Sequence, residues 1–178
     1  MEMLLSDSLA LDGVSCVACH QLSRDSSGFS FSGQLYFDSA VIYGPYGSGK
    51  DEPLLYTLPM ETYTGYMPMY GQHIEESAVC ADCHTLVTQI VDLEGNYTGD
   101  VYVEQATYHE WVNSVFSGEG VDLPLGSEGS EATCQSCHMP RLEDPVIISS
   151  GYAFLESRSP FGLHTLVGAN PAMLEIMR

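Results

Sequence analysis

The sequence predicts one domain over residues 1–178, mostly irregular, with short α-helices and one or two small β-hairpins, folded around something other than its own side chains. Three observations lead there. A five-residue pattern occurs three times, as Cys16-Val-Ala-Cys19-His20, Cys80-Ala-Asp-Cys83-His84 and Cys134-Gln-Ser-Cys137-His138, and it consumes all six cysteines of the chain. Glycine, proline and tyrosine are plentiful, at 17, 9 and 11 residues. The long 3.6-residue apolar period that builds a helical bundle is missing.

The repeated pattern has the spacing that attaches a c-type haem. Cysteines three apart lie about one helical turn from each other, so both thiols reach the two vinyl groups on one porphyrin edge. The adjacent histidine then reaches the iron as proximal ligand: His20, His84 and His138. Structural zinc competes for CxxC pairs, but it takes such pairs in even number and does not require a histidine after each one. Disulfides could also consume six cysteines in an oxidising compartment, yet they leave the three histidines unexplained. The expected cofactors are therefore three haem c groups, bound as thioethers by Cys16, Cys19, Cys80, Cys83, Cys134 and Cys137.

Six histidines less three proximal ligands leave His73, His109 and His164, which matches the number of second axial positions. These three are the distal candidates. Which of them serves which haem is not readable from sequence. Methionine is the alternative distal ligand and raises the potential. Met60, Met67, Met69 and Met139 lie near the motifs, although a flexible thioether also fills gaps around a flat macrocycle. Burial of three macrocycles, each tied by two thioethers and axial bonds, removes chain entropy as disulfides do in small secreted domains. The haem-free chain is expected to be largely unfolded.

Five basic against twenty-four acidic residues give a formal charge of −19. Nucleic acid and anionic lipid surfaces are not expected as partners. So few cations also make each one a candidate to neutralise a haem propionate, among Arg24, Lys50, Arg141 and Arg158, with Arg158 favoured because it lies near His164 in sequence. No stretch approaches transmembrane length. The start, Met1-Glu-Met-Leu-Leu-Ser-Asp, lacks the features of a signal peptide. Since cysteine takes up haem outside the cytoplasm in prokaryotes, a leader removed earlier or a longer parent chain is expected, with an extracytoplasmic location, periplasmic or at the cell surface. Asn170-Pro171 reads as a helix opening near the end.

Phe29 to Tyr43 suggests short strands or a hairpin. Gly44 to Tyr70, with prolines at 45, 53, 59 and 68, reads as an irregular wrap that delivers His73 to a short helix running into the second motif. Leu86 to Val103 reads as a hairpin turning at Glu94-Gly95-Asn96. Asn96-Tyr97-Thr98 in that turn is a glycan acceptor triplet. Gln105 to Phe116 reads as the clearest helix, with an apolar stripe of Tyr108, Trp111, Val112 and Val115. A glycine-rich loop from Gly118 to Gly129 leads to the third motif, whose helix is ended by Pro140.

Beyond the three motifs, the segments Ile42-Tyr-Gly-Pro45, Thr64-Gly-Tyr-Met-Pro68, Gly71-Gln-His73-Ile, Glu104-Gln-Ala-Thr-Tyr-His-Glu-Trp111 and Ser159-Pro-Phe-Gly-Leu-His164 carry a likeness over nearly the whole length. The chain resembles the multihaem cytochromes c of bacterial and archaeal periplasmic and extracellular electron transfer. The resemblance implies a haem-cored, tri-haem cytochrome c domain with distal histidines at His73 and His164. His109 lies outside the family pattern, so the remaining iron takes His109, a methionine, an open site or a histidine from a neighbouring chain. Some members of the group form filaments with haems in a continuous line. The expected function is electron transfer within a larger conduit or filament, with other redox proteins or copies of itself as partners. The alternatives are a discrete soluble carrier and a reductase with one open haem. An enzyme that reduces anions needs cations above its open site, and this chain has few.

Overall fold

The computed structural model describes residues 14–47, 55–117 and 132–166. Lys50, the glycine-rich loop before the third motif and the helix expected after Asn170 lie outside the described residues. Helix α1, Cys16–His20, is the first motif itself. Strand β1, Val41–Gly44, follows, then helix α2, Leu58–Thr64, and strand β2, Met67–Tyr70. A 3₁₀ turn at Gln72–Glu75 leads into α3, Ala78–Ala81, which enters the second motif. Strands β3, Leu86–Val91, and β4, Tyr97–Gln105, precede α4, Thr107–Val112, and a 3₁₀ turn at Val115–Ser117. The third motif is α5, Cys134–His138, followed by the short strands β5, Arg141–Leu142, and β6, Phe161–Gly162.

Local chemistry accounts for most element ends. The residues before α1 and α5 have the same extended geometry, Ser15 at φ −73°, ψ 161° and Thr133 at φ −72°, ψ 160°. In the latter, the threonine hydroxyl also accepts from the Ser136 N–H. Helix α2 starts with Pro59 in its first turn and stops at Gly65 in the left-handed region, φ 78°. Between β3 and β4, the Asp92 carboxylate accepts from the backbone N–H groups of Glu94 and Asn96. This side-chain cap closes the turn at the position read from sequence.

Two readings are revised. The region from Phe29 to Tyr43 forms no hairpin of its own: Leu22 and Phe37 share one isolated bridge, and β1 pairs in parallel with β2. Parallel strands need a long crossover, and the stretch expected to be an irregular wrap supplies it, carrying α2 and β2 on the way. The helix read over Gln105–Phe116 is shorter, because Gln105 completes the ladder opposite Leu86. At its other end Asn113 Nδ2 donates to the His109 carbonyl and Ser114 Oγ to the Trp111 carbonyl. Side chains that take helix carbonyls compete with its continuation.

The apolar interior is small. Among the described residues the buried apolar side chains are Leu22, Val79, Ala81 and Ala132, beside six buried polar or charged residues: Ser27, His73, Ser77, Asp82, Thr85 and Arg158. Large apolar groups such as Phe29, Tyr63, Leu58 and Phe154 stay exposed. Three two-stranded sheets and short helices cannot bury more. No helix of the described residues is long and apolar enough to cross a membrane.

Candidate functional site

None of the six cysteines is paired in a disulfide. Among the described residues no three or more His, Cys, Asp or Glu side chains gather as a metal-holding group. The motifs instead approach one another through their cysteines. Helix α5 docks on the segment that leads into the second motif: the Cys134 N–H donates to Ser77 Oγ at 3.0 Å, and Gln135 Nε2 donates to the carbonyls of Ile74 and Glu76. This docking brings the Cys134 and Cys80 thiols into a hydrogen bond. The contact holds Cys134 down at about 6 and pushes Cys80 up. Cys19 is raised first by burial of its thiol and next by the Cys83 sulfur, which acts on it more strongly than Cys16 of its own motif does. Cysteines of the second motif thus face cysteines of both others.

The segment after the first motif wraps the second. Ser32 N–H donates to the Thr85 carbonyl and Gly33 N–H to the Asp82 carbonyl. Asp82, inside the second motif, accepts at Oδ1 from the N–H groups of Gly28 and Ser30, while its buried Oδ2 has no partner among the described residues. Burial raises its carboxyl, and the two N–H donors partly offset that. Nothing but its position between two cysteines marked Asp82 in the sequence.

The histidines divide into distinct settings. Residues after the third motif return through β5 and β6, held by the Leu163 N–H on the Pro140 carbonyl, and set His164 against His20. The two imidazole centroids are 5.9 Å apart at an interplanar angle of 32°, although the residues are far apart in sequence. The Nδ1 atoms of both rings sit on backbone carbonyls, His20 on Tyr43 and His164 on Gly162. A carbonyl only accepts, so in the neutral ring each Nδ1 holds the proton and each Nε2 carries the lone pair. This is the tautomer a metal-ligating histidine uses when its outer nitrogen is anchored.

His73 is buried at 2 % exposure, edge-on to Tyr43 with centroids 4.8 Å apart. Its Nε2 lies 3.0 Å from the Leu22 carbonyl, and its buried Nδ1 has no partner among the described residues. His109 lies edge-on to Phe31, with Nδ1 likewise buried and unpartnered among the described residues. Helix α4 brings it beside the second motif, where the Tyr108 N–H donates to the His84 carbonyl. His84 and His138 are exposed, and the latter helps lower Cys134. Tyr43 and Leu22, which supply carbonyls to two of the histidines, had no sequence signal, because a backbone acceptor leaves none.

The other candidates are spread out. Arg158 is buried, its guanidinium 4.6 Å from the Tyr46 ring centroid, whereas Arg24 and Arg141 are exposed. Met139 packs beside Gly162, in the role of a gap-filler. Met60, Met67 and Met69 are exposed. Asn96 is exposed, but its amide nitrogen donates to the Asp92 carboxylate, which engages the atom a glycan would take.

No protein-family model, curated protein or solved structure matches the chain.

Proposed function

We propose that this chain is an electron-transfer protein of the multihaem cytochrome c type, carrying three covalently attached haems and working outside the cytoplasm as part of a conduit. The observation that carries this reading is the His20–His164 pair. His20 and His164, each free to present Nε2, would hold one iron between them. The 5.9 Å between ring centroids, with each ring anchored through Nδ1, fits such a pair. The unpartnered Nδ1 of buried His73 fits a further ligand, and so does an interior with only four buried apolar side chains among the described residues.

Cys16 and Cys19, Cys80 and Cys83, and Cys134 and Cys137 would hold the three groups, with His20, His84 and His138 as proximal ligands. When bound, each haem supplies a one-electron iron couple whose potential is set by axial ligands and burial. The chain's own contribution is positioning. Imidazoles anchored through Nδ1 would hold Nε2 toward the iron, an arrangement that would favour transfer over substrate binding. The second motif is contacted by the start of the third motif and by the segment that follows the first, which favours a central place for that motif. Electron tunnelling falls off exponentially with distance, so such closeness is what a conduit needs. Other redox proteins or further copies of this chain are the fitting partners. At −19, acidic repulsion between copies is strong at low salt and screened near physiological ionic strength.

The test is haem stoichiometry by pyridine haemochrome and intact mass, joined to the electron paramagnetic resonance spectrum of the oxidised holoprotein. Three haems with low-spin iron are expected. A chain exported with the haem-attachment machinery that carries no covalent haem would defeat the proposal.

A further inference from the structure

His20 and His164 share one arrangement: Nδ1 on a carbonyl, Nε2 bare. His73 has the reverse. Its Nε2 lies 3.0 Å from the Leu22 carbonyl oxygen, so in the neutral ring the proton sits on Nε2 and the lone pair on Nδ1. That Nδ1 is buried and has no hydrogen-bond partner among the described residues. A buried nitrogen lone pair without a partner is costly unless something absent from the polypeptide takes it up.

The ring also has little freedom to turn over. A flip would exchange Nε2 for Cε1 and forfeit the Leu22 bond. On its other side the ring packs against Gly71, where a Cβ would fall 2.7 Å from His73 Cε1 and 2.8 Å from the Tyr43 ring. Glycine at 71 is therefore what lets Tyr43 and His73 stack edge-on beside the backbone.

We propose that His73 ligates a haem iron through Nδ1, while the Nε2–H bond to the Leu22 carbonyl fixes the ring from behind. This rests on the haem reading above and goes beyond it by assigning the ligating atom. The anchor ties the ligand to the backbone two residues beyond His20. Displacement of the first motif and loss of this axial bond are thereby mechanically linked. Donation from Nε2–H to a neutral carbonyl raises the basicity of Nδ1 only modestly, so the iron keeps ordinary histidine ligation with the ring reversed.

The test uses the full-length holoprotein with histidine labelled with ¹⁵N at δ1 alone or at ε2 alone. Pulsed electron paramagnetic resonance then reads which nitrogens couple as direct iron ligands. The expected result is a directly bonded ¹⁵N coupling in the δ1-labelled sample that disappears in His73→Ala, where one of three attached haems becomes high spin. Direct coupling from ε2 labels alone overturns the inference, and so does a δ1 coupling that survives His73→Ala. If the variant fails to accumulate, the labelled wild-type chain still decides, since ε2-only coordination is fatal on its own. Absence of covalent haem in the wild type would defeat the broader reading instead, a separate outcome visible in the mass.

Discussion

Replacing His164 by alanine is the most direct perturbation of the site, because its structural consequences are small and its spectroscopic ones large. The side chain is exposed. Its hydrogen bond goes to Gly162, two residues away in the same segment, and its ring otherwise meets His20. Truncation at such a surface position changes fold stability by about 0.5 kcal/mol or less. The strand pair Arg141–Leu142 with Phe161–Gly162 and the Leu163–Pro140 bond stay in place. If His164 completes the axial pair with His20, one iron of three loses its sixth ligand, so about one third of the ferric signal should move from low to high spin. Imidazole added to the variant should restore it. His164→Met should instead keep that iron six-coordinate and raise its potential. An unchanged low-spin spectrum in His164→Ala, with three haems confirmed by mass, would refute the pairing of His20 with His164.

Four further outcomes are expected. Cys80→Ala with Cys83→Ala should leave two haems, and because the second motif lies against both others, electron exchange between the remaining pair should slow by orders of magnitude, read by exchange spectroscopy of the haem methyl resonances. Leu22→Ala removes a side chain 1 % exposed in a very small core and should cost roughly 2–5 kcal/mol, measured by denaturant unfolding, while its carbonyl still anchors His73. Trp111→Phe deletes the Nε1 donor to the Ala132 carbonyl, 2.8 Å long, and should cost about 1–3 kcal/mol by leaving that acceptor unpaired. In the exposed hairpin the Asp92 carboxyl is held below its ordinary 3.8, chiefly by the Asn96 backbone N–H and amide. A depressed folded value means the turn's support is full above 3.8 and lost as pH falls through the folded value. Protection of the Glu94 and Asn96 amides, taken relative to their intrinsic exchange rates at each pH, should therefore fall in acid, and Asp92→Asn should abolish that loss.

Local features were open to reading from residues alone. The three Cys-x-x-Cys-His segments, the turn at Asp92 to Asn96, the short helix run from His73 into Cys80 and the stop at Pro140 each depend on neighbours within a few positions. The pairing of β1 with β2 did not declare itself, because Val41–Gly44 and Met67–Tyr70 find each other across a crossover whose prolines suggest only irregular chain. Helix α4 proved shorter than its apolar stripe implied, since Asn113 and Ser114 turned their side chains onto its carbonyls.

For the site the division is similar. Residue types and spacing by themselves determined that six cysteines come in three pairs, each with a histidine at fixed offset, and that three more histidines remain, because covalent geometry within one helical turn needs no long-range information. Only the tertiary structure decided that His164 meets His20, that Cys134 meets Cys80, and that His73 turns Nε2 to a backbone carbonyl and leaves Nδ1 bare. Those are matters of how loops cross in space, and their partners are main-chain atoms that every residue carries, so no side-chain pattern could have announced them.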